Sequence, residues 1–208
     1  MIDIASRIVT TFKDRVQTNG IEEMTSAPGG GNIVTILDPE GFPVNFIHGQ
    51  AETAPKQMPG KLLVNDESTK PRQRQFQRFQ PGPAAVHKLG HFGLVSNDFP
   101  TLKTWYVRNF NIVPSDMLYV DEPNGERKNV AMFAHLDRGQ DLVDHHTLFI
   151  ATLTPESSIP HPHVHHCSFE VHDFDTQALG HQWLEEKGYK NVWGLGRHIL
   201  GSQIFDYW

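Results

Sequence analysis

Cysteine occurs once in the 208 residues, at Cys167, so no internal disulfide and no thiolate metal cluster can form. No apolar run approaches the ~18 residues that a membrane-spanning helix needs. Asp3 and Arg7 interrupt the short apolar pattern between Met1 and Ile8, so that stretch does not read as a secretory leader. A cytoplasmic protein is therefore expected. Positive charge is not in excess either: 18 Lys and Arg stand against 24 Asp and Glu, a formal net charge of -6. That balance argues against nucleic acid as a partner. The basic run from Lys70 to Arg78, although interleaved with Phe76 and Phe79, is accordingly read as a solvated linker packing two aromatics rather than a strip for single-stranded nucleic acid.

Histidine is abundant. There are thirteen, six of them between His145 and His166. Neutral imidazole is the commonest protein metal ligand near neutral pH, and it also carries protons in that range.

Hydrophobic periodicity divides the chain into segments. Ile4, Ile8, Val9, Phe12 and Val16 fall at helical spacing within residues 3–18, with Gly20 as the stop. The stretch NIVTILDPEGFPVNFIHG reads as a hairpin turning at Asp38-Pro39-Glu40-Gly41. Residues 50–84, rich in Pro, Lys, Gln and Arg, show no sustained period. From Leu89 a strand (HFGLVS), a helix (Phe99 to Phe110) and the apolar runs MLYV, NVAMFAHL and TLFIATL follow in order. The order then repeats: strand HCSFEV, a helix from Asp173 to Gly188 with Asp173 or Asp175 near its cap, then VWGLGRHI and SQIFDYW. One unit, strand-helix-strands, is used twice. GGGNIVTILDPEGFPVN and LGSQIFDYW both run from glycine into an alternating strand, so a DPxGF turn and a further strand are expected after Trp208.

His91 and His166 each open the strand of one repeat, and equivalent positions in a repeated unit can converge. Two imidazoles and one carboxylate on one face of an ion leave its other positions open, the arrangement of non-haem Fe(II) oxygenases. Taken singly, a strand histidine is more often a hydrogen-bonded core or rim residue. Alternation along His161-Pro-His163-Val-His165-His166 puts 161, 163 and 165 on one face and 166 on the other, which would equally make an incidental surface zinc site.

Several spaced motifs together resemble the type I extradiol ring-cleavage dioxygenases of the vicinal oxygen chelate (glyoxalase/bleomycin resistance/dioxygenase) superfamily. The likeness runs from APGGG at residue 27 onward, with the linker its weakest part. In that family the first ligand histidine lies in a GHF-type strand, here Gly90-His91-Phe92, and the second in an HH-type strand, here His165-His166. The histidine of an HHTLxF strand is the acid-base group, matched by His146 in DHHTLFI. A GRH motif followed by tyrosine lines the substrate pocket, matched by Arg197, His198 and Tyr207.

The resemblance implies an α+β fold of paired βαβββ modules forming an open, barrel-like mixed sheet with helices outside. Residues 1–49 would be the closing module of a metal-free N-terminal domain, 50–84 a linker and 85–208 the catalytic-type domain. It further implies His91 and His166 as ligands to Fe(II), with Mn(II) as the other candidate ion, and His146, His198 and Tyr207 as catalytic residues. The reaction would be O2-dependent extradiol cleavage of a catechol-type aromatic diol, in aromatic compound catabolism, by a protein that is a homo-oligomer at full length. The family's third ligand, a glutamate, lies beyond the tyrosine in a DPxGFxxE hairpin. The first copy of that hairpin, Asp38 to Asn45, has asparagine at the ligand place. The expectation is thus a chain cut short at both ends, missing the last strand of its second domain and the glutamate, with weak metal binding and poor solubility.

Other readings use the same residues. His163-Val-His165 with Glu170 resembles part of a cupin pattern, without its glycines. A non-catalytic small-molecule-binding or metal-binding protein of the same fold is another reading, and a glyoxalase-like lyase or isomerase a third. HHTLF together with GRH-x8-Y favours ring cleavage.

Overall fold

The computed structural model describes residues 2–18, 20–54, 56–57, 68, 73–74, 76 and 78–208. Most of the basic run from Lys70 to Arg78 lies outside them. Of its two aromatics, Phe76 is 87% exposed and Phe79 is 36% exposed, the latter lining a small cavity with Leu179 and Trp183, so neither is packed away as expected.

Helix α1 (Ile2–Thr11) and a single 3-10 turn (Lys13–Arg15) occupy the first amphipathic segment. The helix is shorter than its periodicity suggests because strand pairing takes over: Val16 bridges to Ile36 and Gln17 N–H donates to Thr35 O at 2.8 Å. Strands β1 (Glu22–Glu23), β2 (Asn32–Leu37) and β3 (Pro43–His48) form an antiparallel sheet in the order β1-β2-β3. On β2 the period-two pattern buries Val34 and Ile36. The hairpin turn is held by Asp38, 1% exposed, whose Oδ1 accepts from Glu40 N–H and Phe42 N–H, each at 2.9 Å. Gly41 supplies the turn's positive φ of 91°. The buried Oδ2 accepts from Tyr106 Oη–H at 3.2 Å.

The second half is two strand-helix-strand repeats. The first comprises β4 (Val86–Ser96), α2 (Phe99–Asn109), β5 (Ile112–Asp121), β6 (Arg127–Leu136) and β7 (Leu148–Thr152). The second comprises β8 (His163–Val171), α3 (Phe174–Glu186), β9 (Gly194–Arg197) and β10 (Ile204–Tyr207). Both helices start where an aspartate caps them: Asp98 accepts from Thr101 N–H and Asp173 from Thr176 N–H. A five-stranded sheet runs β5-β6-β7-β4-β8, and β9 pairs antiparallel with β10. Strand β4 is parallel to β7, with Phe92 opposite Leu148, while β5/β6 and β6/β7 are antiparallel. The architecture is mixed α+β with open sheets and few helices, as expected, and no barrel closes among the described residues. No described helix is long and apolar enough to cross a membrane.

Contacts divide the chain into two compact units, Met1–Pro55 with His91–Cys167, and Lys56–Gly90 with Ser168–Trp208. The first contains the main core: Leu94, Phe99, Leu102, Tyr106, Met132, Ala134, Leu148 and Ile150 from β4, α2, β6 and β7, with Phe42 and Val44 packed against it. Burying each of the larger aliphatic side chains contributes about 1.5–3 kcal/mol. In the second unit, α3 presses Gly180 against Ala84, where a Cβ would come within 2.6 Å of the alanine's own.

Candidate active site

Strands β4 and β8 are neighbours in the sheet, and β4 also flanks β7. This brings together three of the histidines singled out above. His91 Nε2 and His166 Nε2, 75 residues apart in sequence, face each other at 2.7 Å. The ring of His146 lies 4.3 Å from that of His91, centroid to centroid. All three belong to the first unit. His146 is not within a strand: it sits just before β7, where Thr147 N–H donates to Ala134 O and Phe92 N–H to Thr147 O, so the ladder holds the approach to β7 against both neighbours.

Aromatic rings pack around the group. Phe133 on β6 contacts His146 at 4.9 Å, and Phe149 on β7 contacts His166 at 5.8 Å and His165 at 5.3 Å. Gly93, one residue on from Phe92, leaves room for them. A Cβ there would lie 3.0 Å from Phe149 Cδ1 and 3.1 Å from His166 Nδ1, tighter than side chains normally tolerate. The strict alternation expected through the histidine run does not hold. His165 and Val164 are both exposed while His163 and His166 are half-buried, so the pattern slips by one residue between 164 and 165. His165 Nδ1 lies 2.6 Å from His166 Nδ1. Burial, and then the neighbouring charge of His163, lower the pKa of His165, favouring its neutral ring.

Two imidazole nitrogens bound side by side to one ion at about 2.1 Å each lie about 3 Å apart. The observed 2.7 Å separation is close to that spacing, so the pair fits as two donors of a metal site. Without an ion the same separation suits an N–H···N hydrogen bond. Among the described residues no set of three or more His, Cys, Asp or Glu side chains is placed to hold an ion. A facial arrangement takes three donors, of which the pair would supply two. Asn45, at the ligand place of the first DPxGF hairpin, directs its Oδ1 to Thr35 Oγ1–H at 2.8 Å.

His198 and Tyr207 belong to the second unit, on and beside the β9/β10 hairpin. His198 packs on Phe205 at 4.7 Å and lies 6.3 Å from Tyr207, whose ring also meets Trp193. Burial raises the pKa of the Tyr207 phenol. No motif marks Gly93, Phe133 and Phe149 as part of the site, nor Asp116 and His145, which hydrogen-bond at 2.8 Å beside His146. The doubled histidine before TLFI was the one available sign of His145.

Residues 88–206 match the Glyoxalase/Bleomycin resistance protein/Dioxygenase superfamily. Metapyrocatechase 2 of Cupriavidus necator is 32% identical over 79 residues, which is 38% of this chain and 22% of that protein. The fold resembles that of an Mn(II)-bound glyoxalase from Novosphingobium aromaticivorans, with a TM-score of 0.65 at 19% identity over 99% of this chain and 54% of that one. It also resembles the 2,3-dioxygenase LapB from Pseudomonas sp. KL28, with a TM-score of 0.59 at 13% identity over 98% of this chain and 63% of that one. The chain thus spans little more than half the length of these solved structures.

Proposed function

Because the chain belongs to the glyoxalase/bleomycin resistance protein/dioxygenase superfamily, we propose that it serves O2-dependent extradiol cleavage of a catechol-type aromatic diol, with His91 and His166 holding Fe(II). The observation that carries this is the convergence of their Nε2 atoms at 2.7 Å from neighbouring strands, with a third histidine packed on His91. Mn(II) is the alternative ion, in keeping with its presence in a glyoxalase of similar fold. When bound, the ion would chelate the diol oxygens, make the ring electron-rich and organise O2 beside it.

The protein's share is geometry and proton handling. Imidazole titrates near neutral pH and moves protons in both directions, so His146 would take the proton of a diol hydroxyl and return it as the ring opens. Phe133 and Phe149 keep water from the rings they cover and orient the histidines. His198 and Tyr207 stand as diol-contacting residues on the family resemblance alone. Residues 85–208 would then be the catalytic-type domain, joined through 50–84 to the module of residues 1–49.

The test is anaerobic loading with Fe(II), followed by O2 and a panel of catechols, read as bound iron and as the yellow absorbance of ring-cleaved product. His91→Ala and His166→Ala should each lose iron and product together. His146→Gln should keep iron and lose product by about 10²–10⁴-fold. Iron retained by the first two variants, or colour formed without iron, would sink the reading. Metal bound with no product from any catechol would direct attention to glyoxalase-type chemistry instead.

A further inference from the structure

The segment that carries His146 is gripped from β5 at an irregularity in the strand. The β5/β6 register slips between Pro114 and Asp116, so Pro114 faces Ala134 and Asp116 faces Phe133 with Ser115 bulged out between them. A bulge re-aims side chains, and here both point at one target. Ser115 Oγ–H donates to the His145 carbonyl. Having one proton to give, the hydroxyl must accept from its other neighbour, so His135 donates from Nδ1 at 2.6 Å. Asp116 Oδ2 meets His145 Nε2 at 2.8 Å. His145 Nδ1 then lies 3.1 Å from His146 Nδ1. Phe133, opposite Asp116, packs against both rings, at 6.2 and 4.9 Å.

The donors along this line can be worked out one at a time. An ionised carboxylate only accepts, so His145 Nε2 carries a proton. A neutral imidazole has one N–H, so its Nδ1 is the lone-pair nitrogen. The His146 Nδ1 facing it must therefore donate. We infer that Asp116 and His145 are positioning residues that fix the tautomer of His146, with the proton on Nδ1 and the lone pair on Nε2. A histidine without such a partner favours the opposite tautomer in water. The line Asp116–His145–His146 thus prepares Nε2 to receive a proton, the state a general base requires. The catalytic meaning of this rests on the acid-base role proposed for His146, whereas the tautomer itself does not.

The tautomer is read directly in metal-free protein labelled with 15N-histidine. Long-range 1H–15N correlation spectra at about pH 8, where an ordinary imidazole is neutral, show which ring nitrogen bears the proton. The His146 signals are assigned by their loss in His146→Gln. Wild type should show His146 protonated at Nδ1 with a pyridine-like shift at Nε2. His145→Phe and Asp116→Leu should move it toward the Nε2–H form. Side chains 145 and 116 are 52% and 62% exposed, so neither variant disrupts a core. Should Asp116→Leu fail to fold, His145→Phe decides alone. An Nε2–H His146 in wild type, or an Nδ1–H form that persists in His145→Phe, would overturn the inference. Loss of ring cleavage with the tautomer intact would sink the functional reading and leave this one standing, so the two failures are distinguishable.

Discussion

Tyr106 shows how one residue ties the hairpin turn to α2 within the first unit. Its hydroxyl donates to Asp38 Oδ2, while the other carboxylate oxygen serves the turn amides, so Asp38 is fully used although it is only 1% exposed. Burial raises the pKa of both groups, with the Asp38 charge adding to the rise at Tyr106. A raised phenol pKa means that Tyr106's contribution is complete below the ordinary value near 10. Above that pH the unfolded chain releases the proton and the folded chain resists, so the contribution falls. For Asp38 the sign is the same, with the window beginning near pH 3.8 and running upward. Tyr106→Phe should cost about 1–3 kcal/mol at pH 7, because it strands a buried acceptor. It should also flatten the stability loss above pH 10, as urea unfolding at pH 7 and about 10.5 would show. Gly93 has its own consequence at the site. Gly93→Ala pushes on the His166 ring, and metal affinity should fall by about 10–100-fold, the range for displaced ligand support. Unchanged affinity in a metal titration would show that the ring has room to give.

At the scale of elements, periodicity was a good guide wherever one side of an element meets the core. α2 reads from its sequence because Phe99, Leu102 and Tyr106 recur at helical spacing behind an aspartate cap, and all three are buried. Leu102 is 0% exposed within that face, so Leu102→Ala should cost about 2–5 kcal/mol in a denaturant midpoint measured with the slope unchanged. Two element-level features left no mark in the pattern. The exposure pattern of β8 breaks between Val164 and His165, and nothing in the residue types there announces it. The bulge at Ser115 lies just before the apolar run MLYV, outside the segment that periodicity marks, yet it aims Asp116 at a histidine 29 residues away. Pairings of that kind depend on register, which a single sequence does not encode locally. The early end of α1 has a similar cause, since Val16 is drawn into a bridge with Ile36.

Across the whole molecule, the twofold use of strand-helix-strands was legible in order but not in extent: β4 begins at Val86 and β8 at His163, so His91 and His166 lie at equivalent places within their strands rather than opening them. Their meeting across 75 residues could be anticipated only from that repetition and from the motif resemblance, because nothing local to either histidine distinguishes it from a packed strand residue. The supporting shell of Gly93, Phe133, Phe149, Asp116 and His145 was not legible, because its members come from four separate stretches joined only by the sheet. The central claim, that these two histidines share one ion, is tested most directly by titrating Mn(II) into the metal-free chain and following loss of the free ion's six-line EPR spectrum. Wild type should take up the ion, and His91→Ala and His166→Ala should each weaken uptake by at least about tenfold. Equal uptake by all three proteins would contradict the account.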